Sequence, residues 1–309
     1  MFLTLLLSSF FTFVELNCEN LFDTYPDPVK QDAEFLPNGV RRWTKTRYWQ
    51  KLDNIAREIL STCDDKIPDM VALCEVENDN VLHDLTRRSV LSEANYDYVV
   101  TSSPDLRGVN VALLFNPSSF VPFHSHSIRV EPLKGMRPTR DILYVSGVNT
   151  TDDTLHVFVV HAPSRYGGER YSRPFRLVVA DRLCAAVDSV LSVTPGAHIL
   201  IAGDFNDEAD SPALQRICRH RLRNLTKDAR GVNGIRGTYR YKGRWSSLDH
   251  ILGSCSLYAR LDTAYIHAPA FLLENEPSYG GYRPRRTYNG YKYQSGYSDH
   301  LPLVARFRF

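Results

Sequence analysis

The sequence predicts an α+β fold in which two packed, mostly antiparallel sheets are flanked by helices. Short β-rich runs recur along all 309 residues, and only some of them have a helical segment between them. That mixture favours two packed sheets with outer helices over a doubly wound parallel sheet. No internal repeat or long linker divides the chain, so we expect one domain over residues 11–309, preceded by an apolar segment over residues 1–10.

The predicted strands are apolar runs bounded by polar turns, as expected for strands buried between a sheet and a helical layer. Apolar residues spaced i, i+3, i+4, i+7 predict helices over Trp49–Leu60 and Arg176–Leu191. Ser211 as a cap and Pro212 in the first turn predict the start of a third helix. The predicted strands are Phe11–Leu16, Met70–Cys74, Tyr96–Thr101, Val109–Phe115, Ile142–Val148, Leu155–Val160, His198–Ala202, Leu248–Leu252 and Leu303–Phe307.

Composition and charge exclude some classes of protein. Hydrophobic residues make up 43% and charged residues 23%, which is ordinary for a globular chain and argues against disorder. The formal net charge is only +2, so a basic field over the whole molecule is absent, and a polyanion site would need local clusters of Lys and Arg. The six cysteines form no CxxC pair, which argues against zinc and favours free thiols over disulfides.

The first 13 residues are apolar and have the character of the central region of an export signal. However, no Lys or Arg precedes them, no A-x-A-like cleavage site follows, and the run merges into the first predicted strand. A cytoplasmic protein, or an exported one with a signal remnant, both stay open. No other stretch approaches the ~20 apolar residues that span a bilayer, so we expect no stable membrane insertion, and we expect a monomer.

Polar side chains stand where the predicted strands end, which is where a rigid scaffold positions reactive groups. Taken singly, each has a simpler explanation as a solvated turn residue. Together they offer Asn, Asp, Glu and His without a convincing Ser or Cys nucleophile. Hard oxygen ligands select Mg²⁺ or Mn²⁺, a bound metal can activate water, and a carboxylate or His can move its protons. The residues are Asn17, Glu19, Glu75, His161, Asp204, Asn206, Asp249, Asp299 and His300.

These segments resemble motifs of the endonuclease/exonuclease/phosphatase superfamily. Leu16–Asp23 (LNCENLFD) is similar to the NVENLFD opening of bacterial members, and Val71–Asn78 resembles their metal-ligand strand. His161–Arg165 (HAPSR) resembles their HWPSR segment, with Ala162 in place of Trp. The matches run in family order from residue 12 to residue 304, nearly the whole chain. The remaining three are Gly203–Asp207 (GDFND), Leu248–Ser254 (LDHILGS) and Ser298–His300 (SDH).

The resemblance implies a four-layer α/β sandwich like deoxyribonuclease I, and it implies metal ligands. Glu75 would be the principal ligand of Mg²⁺ or Mn²⁺, and Glu19 and Asp299 would complete or support the metal shell. Asn17 would hold a phosphate oxygen or the attacking water. Arg165 is a further phosphate-binding candidate, because a guanidinium can contact phosphate through two N–H groups.

The resemblance also implies a catalytic set. Asp204 would orient or deprotonate the water, and Asn206 would hold it or a phosphate oxygen. His300 would contact the scissile phosphate, oriented by a hydrogen bond to Asp249 that favours the imidazolium. His161 would act as a general acid or stabilise the transition state.

Several weaker candidates keep two explanations. Arg140 could bind phosphate, although a surface ion pair explains it at least as well. Glu77 and Asn78 fit helix-capping or supporting residues beside the ligand strand. Arg236–Trp245 and Tyr279–Tyr297 interleave cations with aromatic rings. Such mixtures can pair phosphates and stack bases, but ordinary solvated loops explain them equally well.

We therefore expect a divalent-metal-dependent phosphoesterase that hydrolyses phosphodiester bonds by metal-assisted attack of water. Its partner is a phosphate-ester substrate, and a nuclease-like one is favoured. A phosphatase or a sphingomyelinase-type phospholipase C is the alternative within the same fold. The chain lacks the longer signature of phosphoinositide phosphatases and an apolar hairpin for docking to a membrane. The alternative from another class is a catalytically inactive binding module.

Overall fold

The computed structural model describes residues 10–64 and 66–309, so the predicted apolar segment over residues 1–10 falls, except for Phe10, outside the described residues. The helices are α1 (Lys45–Leu60), α2 (Asp79–Arg87), α3 (Glu169–Val193), α4 (Pro212–Cys218) and α5 (Cys255–Tyr258). The strands are β1 (Phe11–Leu21), β2 (Met70–Val76), β3 (Asp97–Val100), β4 (Asn110–Phe115), β5 (Phe120–Ile128), β6 (Ile142–Asn149), β7 (Thr154–His161), β8 (His198–Asp204), β9 (Leu222–Asn224), β10 (Tyr239–Tyr241), β11 (Arg244–Ser246), β12 (Asp249–Ser254), β13 (Leu261–Ile266), β14 (Leu273–Asn275), β15 (Tyr282–Pro284), β16 (Tyr288–Asn289), β17 (Lys292–Tyr293) and β18 (Leu303–Phe307).

Two six-stranded sheets form the centre of the molecule. The first has the order β13-β18-β1-β2-β4-β3 and the second β5-β6-β7-β8-β12-β9. Each sheet is antiparallel except at one central pair, β1–β2 in the first and β7–β8 in the second. These two parallel pairs carry the carboxyl ends of four strands to one rim of the sandwich.

The core divides into three layers of apolar side chains. Phe13 and Ala72 of the first sheet share one cluster with Leu200 of the second sheet, so the sheets pack face to face. A second cluster joins the first sheet to α1 and α2, and a third joins the second sheet to α3 and α4. Both faces of the central strands are therefore buried, which explains their continuous apolar runs. The predicted sandwich of two sheets flanked by helices is confirmed.

The structure lengthens several predicted elements. β1 continues through the polar residues to Leu21, across a register shift against β2 between Asn17 and Leu21. α1 begins at Lys45, where Thr44 accepts a hydrogen bond from the Arg47 amide, because capping rather than apolar periodicity sets its start. The predicted start of α4 is confirmed, with Ser211 as its cap.

Three further findings concern expectations from the sequence. All six cysteines are free thiols, four of them buried. Asn78 caps α2 by accepting a hydrogen bond from the Val81 amide at 3.0 Å. The helix-capping interpretation of Asn78 is therefore confirmed. Among the described residues, no helix is both long and apolar enough to cross a membrane.

Candidate active site

The predicted site residues converge on the rim where β1, β2, β7 and β8 end. Asp249 opens β12 directly opposite Asp204 at the end of β8, because those two strands are antiparallel. His161 pairs with Asp204 across the parallel β7–β8 register. Ser298 ties the segment before β18 to this rim by donating its hydroxyl to the Asn17 carbonyl at 2.5 Å. Residues up to 281 positions apart thus share one cleft.

Asp204 lies at the centre of the site and is almost fully buried. Its Oδ2 accepts the side-chain amides of Asn17 and Asn206, each at 3.1 Å, and its Oδ1 accepts the Asn206 backbone N–H at 2.7 Å. Burial raises the pKa of Asp204 to about 7, and the nearby Asp249 carboxylate adds to that rise. A carboxylate with that pKa can accept a proton near neutral pH.

His300 and Asp249 form a buried, oriented pair. The His300 Nδ1 lies 2.7 Å from the Asp249 Oδ2, which also accepts the Thr238 hydroxyl. Burial alone would lower the pKa of His300, but the Asp249 carboxylate outweighs it and raises that pKa well above its usual value. The ring is therefore an imidazolium at neutral pH, with Nε2 turned away from Asp249 and available to a substrate oxygen.

His161 has the opposite character. Its Nε2 lies 3.6 Å from the Asp204 Oδ2 and 3.8 Å from the Glu75 Oε1. Burial, together with Arg140 and Arg107, lowers the pKa of His161 well below its usual value. Its Nδ1 is buried and finds no hydrogen-bond partner among the described residues. The ring is thus held neutral close to both carboxylates.

Arg140 explains how His161 is held in place. Its guanidinium donates to the carbonyls of His161 at 3.2 Å and Ala162 at 2.7 Å, and it pairs with Asp105 at 2.9 Å. Arg140 and Asp105 are both buried, so neither interpretation from the sequence, phosphate binding or a surface ion pair, describes its position. Arg140 therefore stabilises the backbone at His161 and Ala162 from the buried side of the site.

The backbone is strained where the site needs it. Glu19, Asn20, Glu75 and Asn206 all adopt left-handed conformations, with φ of 49°, 56°, 61° and 51°. Such conformations cost free energy for residues with a Cβ and cluster at functional sites. Three of these residues, Glu19, Asn20 and Glu75, lie where the register between neighbouring strands shifts at the rim of the sheet.

The two sheets are tied together directly beneath the site. The Cys74 thiol donates to the Val160 carbonyl at 3.4 Å and accepts the Asp204 N–H at 3.5 Å. Within the second sheet, Gly203 allows β8 to lie close to β7 at this point, because a Cβ there would lie 1.8 Å from the Val160 oxygen. The sequence places Cys74 at the end of a predicted apolar strand and gives no signal for this bridge.

The three predicted metal ligands have different environments. Glu75 keeps part of its side chain exposed and accepts the Asn20 N–H at 2.9 Å. Glu19 accepts the Thr287 N–H at 2.6 Å, and burial together with Asp299 raises its pKa to about 7. Asp299 is paired with Arg286 at 2.6 Å. Whether these three bind one metal ion stays a prediction.

The donor chemistry fits a hard divalent cation. Asp204, Asp249 and His300 place ligand atoms within 4.8 Å of one another, the one such set in the part of the chain that the structure describes. The protonated His300 ring has no free lone pair for a metal ion, so the carboxylates of Asp204 and Asp249 are the donors that this set offers. The Glu75 carboxylate lies near this set, because its Oε1 is 3.8 Å from the His161 Nε2, which is itself 3.6 Å from the Asp204 Oδ2. The Asp249 Oδ1 is buried without a hydrogen-bond partner within the described ranges. Carboxylate oxygens concentrated in a buried cleft are what Mg²⁺ or Mn²⁺ requires.

Two cations at the site have distinct functions. Arg165 donates to the Asn206 carbonyl at 2.9 Å and lies 3.3 Å from Asp207, so it stabilises the loop after β8. Its contact with phosphate stays a prediction. Arg107, which the sequence does not single out, is exposed and donates to Asn20 at 2.7 Å. It also lies 3.4 Å from the Glu75 carboxylate. It therefore places an exposed positive charge beside Glu75.

The two-sheet sandwich, together with the carboxylates and histidines at its rim, defines the protein as one of the phosphoesterase class. The chain belongs to the Endonuclease/Exonuclease/phosphatase family, whose model matches residues 12–308. Members of this family are hydrolases of phosphate esters and generally use divalent metals. No curated protein sequence is significantly similar to the chain.

Solved structures show the same fold. A family member from Bacteroides thetaiotaomicron is 15% identical, with a TM-score of 0.61 over 96% of this chain and 97% of its own. A mannosyl-6-phosphatase from the same organism is 15% identical, with a TM-score of 0.65 over 96% and 99%. TDP2 from C. elegans is 14% identical, with a TM-score of 0.63 over 97% and 75%. At these identities the likeness concerns the fold alone.

Proposed function

We propose that the protein is a divalent-metal-dependent phosphodiesterase with a nucleic acid or a small phosphodiester as substrate. The observation that carries the proposal is the buried arrangement around Asp204. A carboxyl group whose pKa lies near 7 there faces His300, whose pKa Asp249 holds well above its usual value, and His161, whose pKa burial holds well below its usual value. These are the protonation states that an acid–base hydrolysis of a phosphoester needs at neutral pH.

Each residue has a defined part in the reaction. Asp204 orients the attacking water and accepts its proton, while Asn17 and Asn206 fix the carboxylate through their amides. The His300 imidazolium donates a hydrogen bond to a phosphate oxygen and stabilises the charge that grows there. The neutral His161 ring donates or accepts a hydrogen bond at the phosphate without adding a second positive charge.

The residues that would hold Mg²⁺ or Mn²⁺ are Glu75 as principal ligand, with Glu19 and Asp299 supporting the shell. When bound, the ion neutralises phosphate charge and lowers the pKa of water. Arg107 adds a protein-derived cation beside Glu75. The Asp299–Arg286 ion pair keeps Asp299 oriented at the cleft.

The substrate proposal rests on a wall beside the cleft. Arg240 donates to the Gly280 carbonyl at 2.6 Å, so the two basic-aromatic stretches of the sequence lie together. The Arg41 guanidinium donates to the Gly290 carbonyl at 3.1 Å, which adds a third basic segment. Cations alternating with Tyr side chains along such a wall can contact a phosphate backbone and stack bases.

A phosphatase is the second candidate function, because the cavities along that wall are small. The cavities on the two sides of the Asp299–Arg286 pair measure about 240 and 250 Å³, which suits compact groups rather than a duplex. Several wall cations are also already paired with carboxylates of the chain. The structural likeness to a mannosyl-6-phosphatase is consistent with a compact monoester substrate.

The test is hydrolysis of bis(p-nitrophenyl) phosphate, p-nitrophenyl phosphate, a single-stranded oligonucleotide and sphingomyelin, each with Mg²⁺, with Mn²⁺ and with EDTA. We expect metal-dependent turnover of the diester and the oligonucleotide, lost in Glu75→Gln and retained in Glu131→Gln, a matched change at an exposed position. Turnover of p-nitrophenyl phosphate alone would favour the phosphatase. Turnover of sphingomyelin alone would favour the phospholipase. No turnover by either variant or the wild type would favour the inactive binding module.

A further inference from the structure

We propose that the cavity between β10–β11 and β15 binds a second anionic group of the substrate, separate from the phosphate that is hydrolysed. The inference rests on the proposed phosphoesterase function and specifies its substrate class: a phosphoester that carries a second phosphate or a carboxylate nearby. In the following paragraphs this cavity is called the second-anion pocket.

The second-anion pocket adjoins the catalytic groups. It measures about 240 Å³, and Asp299 and Arg286 form its inner wall. Tyr239, at the start of β10, pairs with His300 through a β-bridge, and their rings lie 4.9 Å apart. A ligand whose reacting phosphate meets His300 can therefore extend into the pocket without leaving the cleft.

Its charges are only partly compensated. Of the four cations that line it, Arg283 is paired with Glu274 at 2.7 Å and with Glu276 at 3.1 Å. Arg286 is paired with Asp299. The other two cations, Arg240 and Lys242, form no ion pair with any described residue.

The two uncompensated cations are held in different ways. Arg240 donates to the main-chain carbonyls of Gly280 and Tyr282, which position its guanidinium but leave its full charge. Lys242 is exposed, and its ammonium lies 5.3 Å from the Tyr241 ring. A positioned guanidinium beside an exposed ammonium is a suitable pair of donors for an anion.

The cavity on the opposite side of the Asp299–Arg286 pair provides an internal contrast. Two cations line it, and both are paired: Arg41 with Glu34 at 2.7 Å, and Arg286 with Asp299. Its lining also includes the carboxyl group of Glu19 and the rings of Phe35 and Tyr288. Because neither cation of that side is uncompensated, the asymmetry assigns the second anion to the second-anion pocket.

The experiment compares two pairs of substrates that differ only in the second anion. The first pair is the thymidine dinucleotide with and without a 5′-phosphate, and the second is glucose 1,6-bisphosphate and glucose 6-phosphate. We expect kcat/KM at fixed ionic strength to be at least tenfold higher for the doubly anionic member of one pair or both. An advantage confined to the dinucleotides identifies a nucleic-acid-type substrate, and one confined to the sugars identifies a sugar bisphosphate.

The variant Lys242→Gln should reduce that advantage at least fivefold, mainly through KM. Lys134→Gln is the matched control, because Lys134 is exposed and lies outside both the pocket and the two basic-aromatic stretches. Equal kcat/KM within both pairs for the wild-type protein overturns the inference while the proposed function stands, as does an unchanged advantage in Lys242→Gln. Absence of turnover with every substrate overturns the proposed function and this inference together.

Discussion

Replacing Asp249 by Asn tests how the buried pair with His300 acts. The change keeps the size of the side chain but removes the negative charge 2.7 Å from the His300 Nδ1. A hydrogen bond between charged partners contributes about 1.5–3 kcal/mol. Since about 1.36 kcal/mol corresponds to a factor of ten in rate, losing it in the transition state lowers kcat by roughly 10- to 150-fold.

The assay is steady-state hydrolysis of bis(p-nitrophenyl) phosphate at saturating metal, with kcat and KM measured separately. We expect the loss in kcat, because the imidazolium is needed most where phosphate charge grows. The double variant with His300→Gln should lose little more than His300→Gln alone, since the two residues act as a unit. Asp262→Asn is the matched control, because it removes an exposed carboxylate 2.8 Å from Arg308, a type of pair that contributes little. A folded Asp249→Asn protein with kcat within threefold of the wild type refutes the proposed pairing.

Three further changes test the scaffold of the protein. Gly203→Ala places a Cβ 1.8 Å from the Val160 oxygen at φ 143°, so thermal unfolding should show a loss of roughly 3–5 kcal/mol. Burial lowers the pKa of His267 to about 4, so the unfolded chain takes up this proton first as pH falls below about 6.5, and stability falls by about 3 kcal/mol down to pH 4. His267→Gln should remove that part of the pH dependence in denaturant titrations. Arg140→Met breaks a buried ion pair behind His161, so we expect a loss of roughly 3–5 kcal/mol and a lower kcat.

Each of these changes has a matched control at an unconstrained position. A Cβ added at Gly196 would meet no atom within 4 Å, and the backbone there does not require glycine, so Gly196→Ala should leave stability unchanged. His83 and Arg137 are exposed, so His83→Gln and Arg137→Met should alter neither the pH dependence nor the stability. Equal effects in a test variant and its control would remove the structural reason given for that residue.

The fold could be predicted where the burial of a strand produces a recognisable pattern of apolar residues in the sequence. Central strands such as β8 are buried on both faces and read as apolar runs. β5 escaped prediction because it is an edge strand, with Phe123, His124 and His126 outside the core and no apolar alternation. The hairpin strands near the cleft are two or three residues long, too short to produce a periodic signal.

The site was predictable where its residues end long strands, and not where they depend on distant contacts. Glu75, Asp204 and His300 follow or precede apolar runs, so topology alone brings them near one rim. Arg107 reaches Glu75 from a loop 32 positions away, and Thr238 reaches Asp249 from a turn. Neither residue stands in a pattern, because their function depends only on how the loops fold over the rim.

The carboxyl groups of the site differ in function because their surroundings differ. Asp249 faces an imidazolium and acts as its orienting anion. Asp204 accepts hydrogen bonds from the amides of Asn17 and Asn206, and burial together with Asp249 raises its pKa to about 7, where it can exchange a proton. Glu15, beneath both, has two buried oxygens without a partner among the described residues, and burial raises its pKa well above its usual value. The same functional group thus serves as orienting anion, base and buried core residue, and the surroundings rather than the residue type decide which.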